Sequence, residues 1–93
     1  MHIEEFQRQI ESIYFDKDSA RGIEGTFRWF VEEVGELARA LREGDQERQA
    51  EELADVFAWL STMASICGVE MEEAVRKYQH GCPKCGETPC ACD

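Results

Sequence analysis

Apolar residues recur at three- and four-residue intervals along most of the chain, and no stretch alternates apolar and polar residues for long. This spacing is the pattern of amphipathic helices and excludes half-buried strands. It is clear in the first apolar stripe, formed by Ile3, Phe6, Ile10 and Ile13. The helices that it predicts cover about residues 2–15, 26–43, 46–67 and 70–79. The chain is therefore expected to be all-α.

Glycines and capping residues predict where these helices begin and end. The polar stretch 16–25 contains Gly22 and Gly25 and is interpreted as a linker. Gly44 fits a C-terminal cap and Asp45 an N-terminal cap, so a short turn should make the second and third helices an antiparallel pair. Gly68 is expected to end the third helix.

The helical spacing also predicts which side chains form the core. On the second helix these are Phe27, Phe30, Val31, Val34, Leu37, Ala38 and Leu41. On the third and fourth helices they are Leu53, Val56, Phe57, Leu60, Ala64, Met71, Ala74, Val75 and Tyr78. Cys67 is expected to be a small buried apolar residue.

The size and charge of the chain limit its function. A lone core of 93 residues is marginal, so a partner chain, a metal or a covalent link is expected. The net charge of −10 argues against binding to nucleic acid polymers, which requires clustered cations. No apolar stretch reaches the roughly 18 residues that cross a bilayer, and the acidic N-terminus lacks the order of a secretory signal. We therefore expect a cytoplasmic protein with reduced thiols.

Acidic residues are concentrated in residues 32–55, which hold nine acids and three bases. Helical spacing places them on two arcs, one with Trp29, Glu32, Glu33 and Glu36, the other with Glu52, Asp55 and Trp59. Such a cluster repels itself unless a divalent cation binds, and oxygen ligands favour Mg²⁺, with Mn²⁺ as the alternative ion. The competing interpretation is a solvated acidic surface, partly paired with Arg39, Arg42 and Arg48.

Glu32-Glu33-x-x-Glu36, followed after fifteen residues by Glu52-x-x-Asp55, resembles the EExxE…ExxD signature of MazG-like nucleotide pyrophosphohydrolases. With the order of helices, the resemblance covers about residues 2–80. It implies a four-helix-bundle-type fold that is completed by oligomerisation, as a homodimer or homotetramer. This region is the predicted catalytic domain, residues 1–80, and residues 81–93 are a separate cysteine-rich tail.

The resemblance also implies an activity: Mg²⁺-dependent cleavage of nucleoside triphosphates between the α and β phosphates, for removal of unwanted nucleotides. By position in the motif, Glu33, Glu36, Glu52 and Asp55 would hold Mg²⁺, and Glu32 would activate water. Alternative functions are hydrolysis of phosphoribosyl-ATP and a non-enzymatic helical zinc module that binds a protein partner.

Substrate contacts are less specific in the sequence. Lys17, Arg21 and Lys77 are candidates to bind the triphosphate, with ordinary solvated cations as the alternative. Family members commonly follow a Lys near Lys77 with an Asn, but this chain contains no Asn, which puts base and sugar contacts in doubt. Trp29 and Trp59 are candidates to stack on a base, although a tryptophan at a helix boundary is more often part of the core.

Four of the five cysteines lie in the last twelve residues, as Cys82-Pro-Lys-Cys85-Gly and Cys90-Ala-Cys92. Four thiolates complete a tetrahedral set for structural Zn²⁺, with His80 as a substitute ligand. Disulfides, an iron–sulfur or redox role and a disordered end are the alternatives.

Overall fold

The computed structural model describes all 93 residues, and the chain is helical with no strands. Helix α1 covers Ile3–Glu43, α2 covers Gln46–Ile66, and α3 covers Met71–Ala74 and continues as a 3₁₀ turn over Val75–Tyr78. The all-α prediction is confirmed, and the predicted fourth helix is α-helical in its first half only. No single helix is both long and apolar enough to cross a membrane; only Gln46–Ile66 taken with Met71–Tyr78 passes by length and composition, and this pair is bent by 100°.

The predicted linker over residues 16–25 is wrong, because α1 continues through it with one interruption. Only Gly22 leaves the helical conformation, with φ 82° and ψ 173°. That region of backbone space is accessible to glycine and essentially closed to other residues. Gly22 therefore divides α1 into a first arm, residues 3–21, and a second arm, residues 23–43.

The turn between α1 and α2 follows the sequence prediction. Gly44 adopts a left-handed conformation, with φ 77°, and its N–H donates to the Ala40 carbonyl over 3.0 Å. The Asp45 carboxylate then accepts from the N–H groups of Glu47 and Arg48, which caps α2. Contacts between the two helices progress in opposite directions along the chain, with the pairs Gln49–Ala40, Thr62–Asp18 and Ser65–Glu11. The antiparallel pairing is therefore confirmed.

The interior of the single chain is small and largely polar. Its buried apolar residues are Ile10, Ala40 and Ala64, whereas the side chains of Gln7, Thr26 and Ser61 are almost inaccessible. The Gln7 amide donates to the Ser65 hydroxyl and the Val69 carbonyl, and its oxygen accepts from the Met71 N–H. This one side chain ties the first arm of α1 to the end of α2 and the start of α3.

The predicted core faces are therefore largely wrong for one chain taken alone. Phe27 is 53% exposed, Leu41 57%, Leu53 54% and Tyr78 61%, and Cys67 is also exposed. Further exposed apolar residues from those faces are Val31, Val34, Phe57 and Leu60. The physical reason is that three helical segments and one short helix cannot cover every apolar stripe that they carry.

Candidate functional site

The acidic motif residues converge between the second arm of α1 and the middle of α2. Carboxylate oxygens of Glu33, Glu36 and Glu52 all lie within 4.8 Å of one another. We call these three residues the acidic cluster. Asp55 lies one turn beyond Glu52 and lines the adjoining pocket, whereas Glu32 is exposed and is not among the converging carboxylates. The antiparallel turn thus brings two sequence motifs, fifteen residues apart, to one place.

The acidic cluster makes no ion pair with a cationic side chain of the chain. The ion pairs between side chains join Arg8 to Glu11 and Glu70, Arg21 to Asp18, and Arg48 to Glu43, and the His2 ring lies 3.8 Å from the Glu5 carboxylate. The proposed pairing of Arg39, Arg42 and Arg48 with the motif acids is not seen. Glu33 Oε2 and Glu52 Oε2 are buried and have no hydrogen-bond partner. Because such oxygens are costly to bury alone, their arrangement fits a hard divalent cation.

Burial, together with the crowding of these acids, alters the titration of Glu33. Burial of the carboxylate raises its pKa from 4.5 to about 7, and the negative charges of Glu36, Asp55 and Glu52 add to the effect. Below about pH 7 Glu33 of the metal-free site is therefore mostly protonated, and a bound cation must displace that proton.

This shift predicts a pH dependence of stability for the metal-free protein. Between pH 4.5 and about 7 the folded chain keeps the Glu33 proton and the unfolded chain loses it. The contribution of the Glu33 carboxyl to the free energy of unfolding is therefore fully present below pH 4.5, and it is lost as the pH rises through about 7. Thermal unfolding in chelator should give a melting temperature that falls over this window, and Glu33→Gln should flatten the fall. A slope unchanged by Glu33→Gln, and equal to that of the exposed control Glu24→Gln, would contradict this assignment.

A pocket of about 310 Å³ lies between the first arm of α1 and α2, next to the acidic cluster. It is lined by Ile10, Tyr14, Lys17, Asp18, Arg21, Asp55, Ala58, Trp59 and Thr62. Two of the three candidate phosphate-binding cations, Lys17 and Arg21, therefore lie on its wall together with a motif acid. Lys77 does not line it; its ammonium lies 5.2 Å from the centre of the Tyr78 ring.

The two tryptophans contact each other beside this pocket. The rings of Trp29 and Trp59 stack with centroids 6.1 Å apart and planes 10° from parallel. The guanidinium carbon of Arg21 lies 5.0 Å from the centre of the Trp59 ring. Trp29 remains 49% exposed, and it stacks on Trp59, which lines the pocket.

Sequence reasoning missed Asp18 and Thr62. Asp18 is only 4% exposed, and its carboxylate accepts from the Thr62 hydroxyl over 3.0 Å and from Arg21 over 2.9 Å. The i, i+3 spacing of Asp18 and Arg21 was a usable signal, but assigning residues 16–25 to a linker removed the helix that gives the spacing its meaning.

The cysteine tail forms a second, sulfur-rich cluster. The Sγ atoms of Cys82, Cys85, Cys90 and Cys92 lie within 4.8 Å of one another, and all are free thiols. The pairs 82–92, 85–90 and 82–90 are 3.8, 4.0 and 3.6 Å apart. Tetrahedral zinc with Zn–S bonds of about 2.3 Å requires sulfurs about 3.8 Å apart. The tail is thus positioned to bind a metal.

Comparison with known proteins identifies one family. The sequence profile of the MazG nucleotide pyrophosphohydrolase domain matches residues 21–86, more than two thirds of the chain. The match includes all five motif acids and both tryptophans, and it begins at Arg21, leaving most of the first arm of α1 outside. A search of curated proteins gave no match.

Proposed function

The chain belongs to the MazG nucleotide pyrophosphohydrolase family, and from that membership we propose that it hydrolyses nucleoside triphosphates between the α and β phosphates. The products would be a nucleoside monophosphate and pyrophosphate. The observation that carries this proposal is the acidic cluster, which makes no ion pair within the chain and lies one helical turn from Asp55, a wall residue of the pocket that Lys17 and Arg21 also line. Removal of unwanted nucleotides is the role that such a reaction serves.

In this proposal Glu33, Glu36 and Glu52 hold Mg²⁺, and Asp55 completes the set from the pocket side. When bound, Mg²⁺ supplies charge neutralisation on the phosphoryl oxygens and fixes the α-phosphate in position. The protein's contribution is to hold these oxygens on two rigid helices, joined by a capped turn of two residues.

Glu32 is the proposed base that accepts a proton from the attacking water. It is exposed and precedes Glu33 on the same helical arm, which leaves its carboxylate free of the acidic cluster. A carboxylate in this place can orient the water and take its proton while the neighbouring acids hold the cation.

Glu32→Gln is therefore expected to lower kcat by about 100-fold or more, while Mg²⁺ affinity measured by calorimetry stays within about twofold. The matched control is Glu24→Gln, an equivalent change at an exposed position two turns earlier on the same arm. Retained turnover in Glu32→Gln would remove Glu32 from this role.

Lys17 and Arg21 are the proposed partners of the β and γ phosphates, because both line the pocket beside Asp55. Trp29 and Trp59 are proposed to stack on the base, with Trp29 offering the exposed ring. Lys77 lies away from this pocket in its own chain, so its proposed phosphate contact would require it to act from a partner chain or after movement of the 3₁₀ turn.

The exposed apolar stripes support assembly of two or four copies. Phe27, Val31 and Leu41 on α1, and Leu53 on α2, are each more than half exposed in one chain. Several large apolar residues exposed at helical spacing are the surface that an interface between proteins would cover. Light scattering is expected to give at least twice the mass of one chain.

The four cysteines of the tail are proposed to hold one structural Zn²⁺. Soft thiolates select zinc over the hard cations that the acidic cluster prefers, so one chain would carry two metals without competition between them. Four thiolate ligands leave no open coordination position, which favours a structural over a catalytic site.

The activity is tested by measuring pyrophosphate release from phosphoribosyl-ATP and from a panel of ribo- and deoxyribonucleoside triphosphates, with Mg²⁺ or with chelator. The proposal expects release from at least one nucleotide that depends on the cation. Pyrophosphate release from phosphoribosyl-ATP alone would favour the phosphoribosyl-ATP hydrolase. No release from any of these compounds would favour a non-enzymatic zinc module.

A further inference from the structure

We propose that Asp18 is a positioning residue that orients the Arg21 guanidinium toward a bound triphosphate. This inference rests on the proposed function, and it assigns a role to a residue outside the acidic motifs. The Asp18 carboxylate is almost completely buried between the first arm of α1 and α2. One oxygen accepts from the Thr62 hydroxyl over 3.0 Å, and the other accepts from Arg21 Nη1 over 2.9 Å.

The guanidinium is held by contacts from both helices. Arg21 Nη1 also lies 3.3 Å from the hydroxyl of the fully buried Thr26, and its central carbon lies 5.0 Å from the centre of the Trp59 ring. Nη2 and Nε make no hydrogen bond within the chain, although the group lines the pocket. Because Asp18 and Thr26 hold Nη1 of this planar guanidinium, Nη2 and Nε remain free to donate hydrogen bonds to phosphate oxygens.

The charge of Asp18 cannot itself attract an anion. It offsets one of the two pocket cations, leaving Lys17 as the unpaired one. A buried carboxylate also carries a desolvation cost that an apolar link between the helices would avoid. What the ion pair adds is a fixed direction for the guanidinium. Asp18 lies one helical turn before Arg21, and Arg21 directly precedes the interruption of α1 at Gly22.

Positioning and simple electrostatics make opposite predictions for Asp18→Asn. Removing a negative charge makes the pocket more positive, so electrostatics alone would tighten binding of a polyphosphate. If Asp18 acts by orienting Arg21, the same change weakens binding, because the guanidinium loses its charged anchor. The effect should then vanish where Arg21 is absent.

The test measures binding of inorganic tripolyphosphate with Mg²⁺ to the full chain by calorimetry. Arg21→Ala is expected to weaken binding about tenfold, and Asp18→Asn about three- to tenfold. The double variant should bind like Arg21→Ala alone. Thr62→Val, which removes only the second partner of Asp18, provides a milder variant and should weaken binding in the same direction. For the nucleotide substrate, Asp18→Asn should raise KM with little change in kcat.

Equal or tighter binding by Asp18→Asn would overturn the inference, as would a double variant whose loss is the product of the two single losses. Absence of tripolyphosphate binding by the parent chain would also overturn it. Binding with these expected effects, but no hydrolysis of any nucleotide, would contradict the proposed function and leave the positioning role of Asp18 supported.

Discussion

Glu52→Gln is expected to lower kcat/KM for the best nucleotide by at least about 100-fold, the range that a lost charge-stabilising group costs. Glu52 is the most buried member of the acidic cluster, and one of its oxygens has no partner in the chain. An amide keeps the size of the side chain but removes the negative charge that a hard cation prefers. Calorimetry should show Mg²⁺ affinity falling with activity.

Glu51→Gln is the matched control, because Glu51 is the preceding residue on α2 and is exposed. It should retain both activity and Mg²⁺ affinity. Loss of folding would not explain the result for Glu52→Gln, since removing one of several repelling carboxylates should keep or raise the melting temperature of the metal-free protein. Equal activity in Glu52→Gln and Glu51→Gln would contradict the metal role of the cluster.

Cys85→Ser is expected to reduce bound zinc from one ion per chain to none in native mass spectrometry. The tail has no helix or strand, and its hydrogen bonds are short-range ones within residues 78–92. A segment without a core of its own depends on the metal for its fold, and structural zinc contributes on the order of 10 kcal/mol to such folding. The variant tail should therefore become sensitive to proteolysis after residue 80, while the helices stay intact.

Cys67→Ser is the matched control, because Cys67 is an exposed thiol outside the sulfur cluster. It should keep one zinc per chain and a protected tail. A tail that resists proteolysis without metal in Cys85→Ser would contradict the structural zinc, and zinc retained at full occupancy would show that Cys85 is not a ligand.

Turn and capping preferences predicted the connection between α1 and α2, which depends only on residues next to each other in the sequence. The turn at Gly44-Asp45 is a left-handed glycine followed by a side-chain cap, and both were visible in the sequence. Gly22 shows the limit of the same preferences. Two glycines in a polar stretch indicated a linker, but only Gly22 leaves helical geometry, because Gly25 is accommodated within the second arm.

Burial was harder to predict because it depends on what else packs against a helix. Phe27 has the correct spacing for a core residue, yet it is more than half exposed in a single chain. The spacing identifies an apolar face but does not say whether the same chain or another one covers it. Asp18 illustrates the converse case, in which a charged residue becomes buried because its partners come from two different helices.

The acidic cluster could be predicted because helical spacing and one short turn fix its geometry. Glu33 and Glu36 are one turn apart, and the antiparallel turn carries Glu52 back to meet them. The pocket beside the cluster could not be predicted, because Lys17 meets Trp59 and Thr62 only through the packing of the first arm of α1 against α2, and the interruption at Gly22 was not expected inside a helix.

The most direct test of this account identifies the products formed from the nucleotide that is hydrolysed fastest. Phosphorus NMR of the reaction with Mg²⁺ is predicted to show a nucleoside monophosphate and pyrophosphate in equal amounts, and Glu52→Gln is predicted to form both at least about 100-fold more slowly. A nucleoside diphosphate and inorganic phosphate would place the cleavage at the γ-phosphate and contradict the central claim.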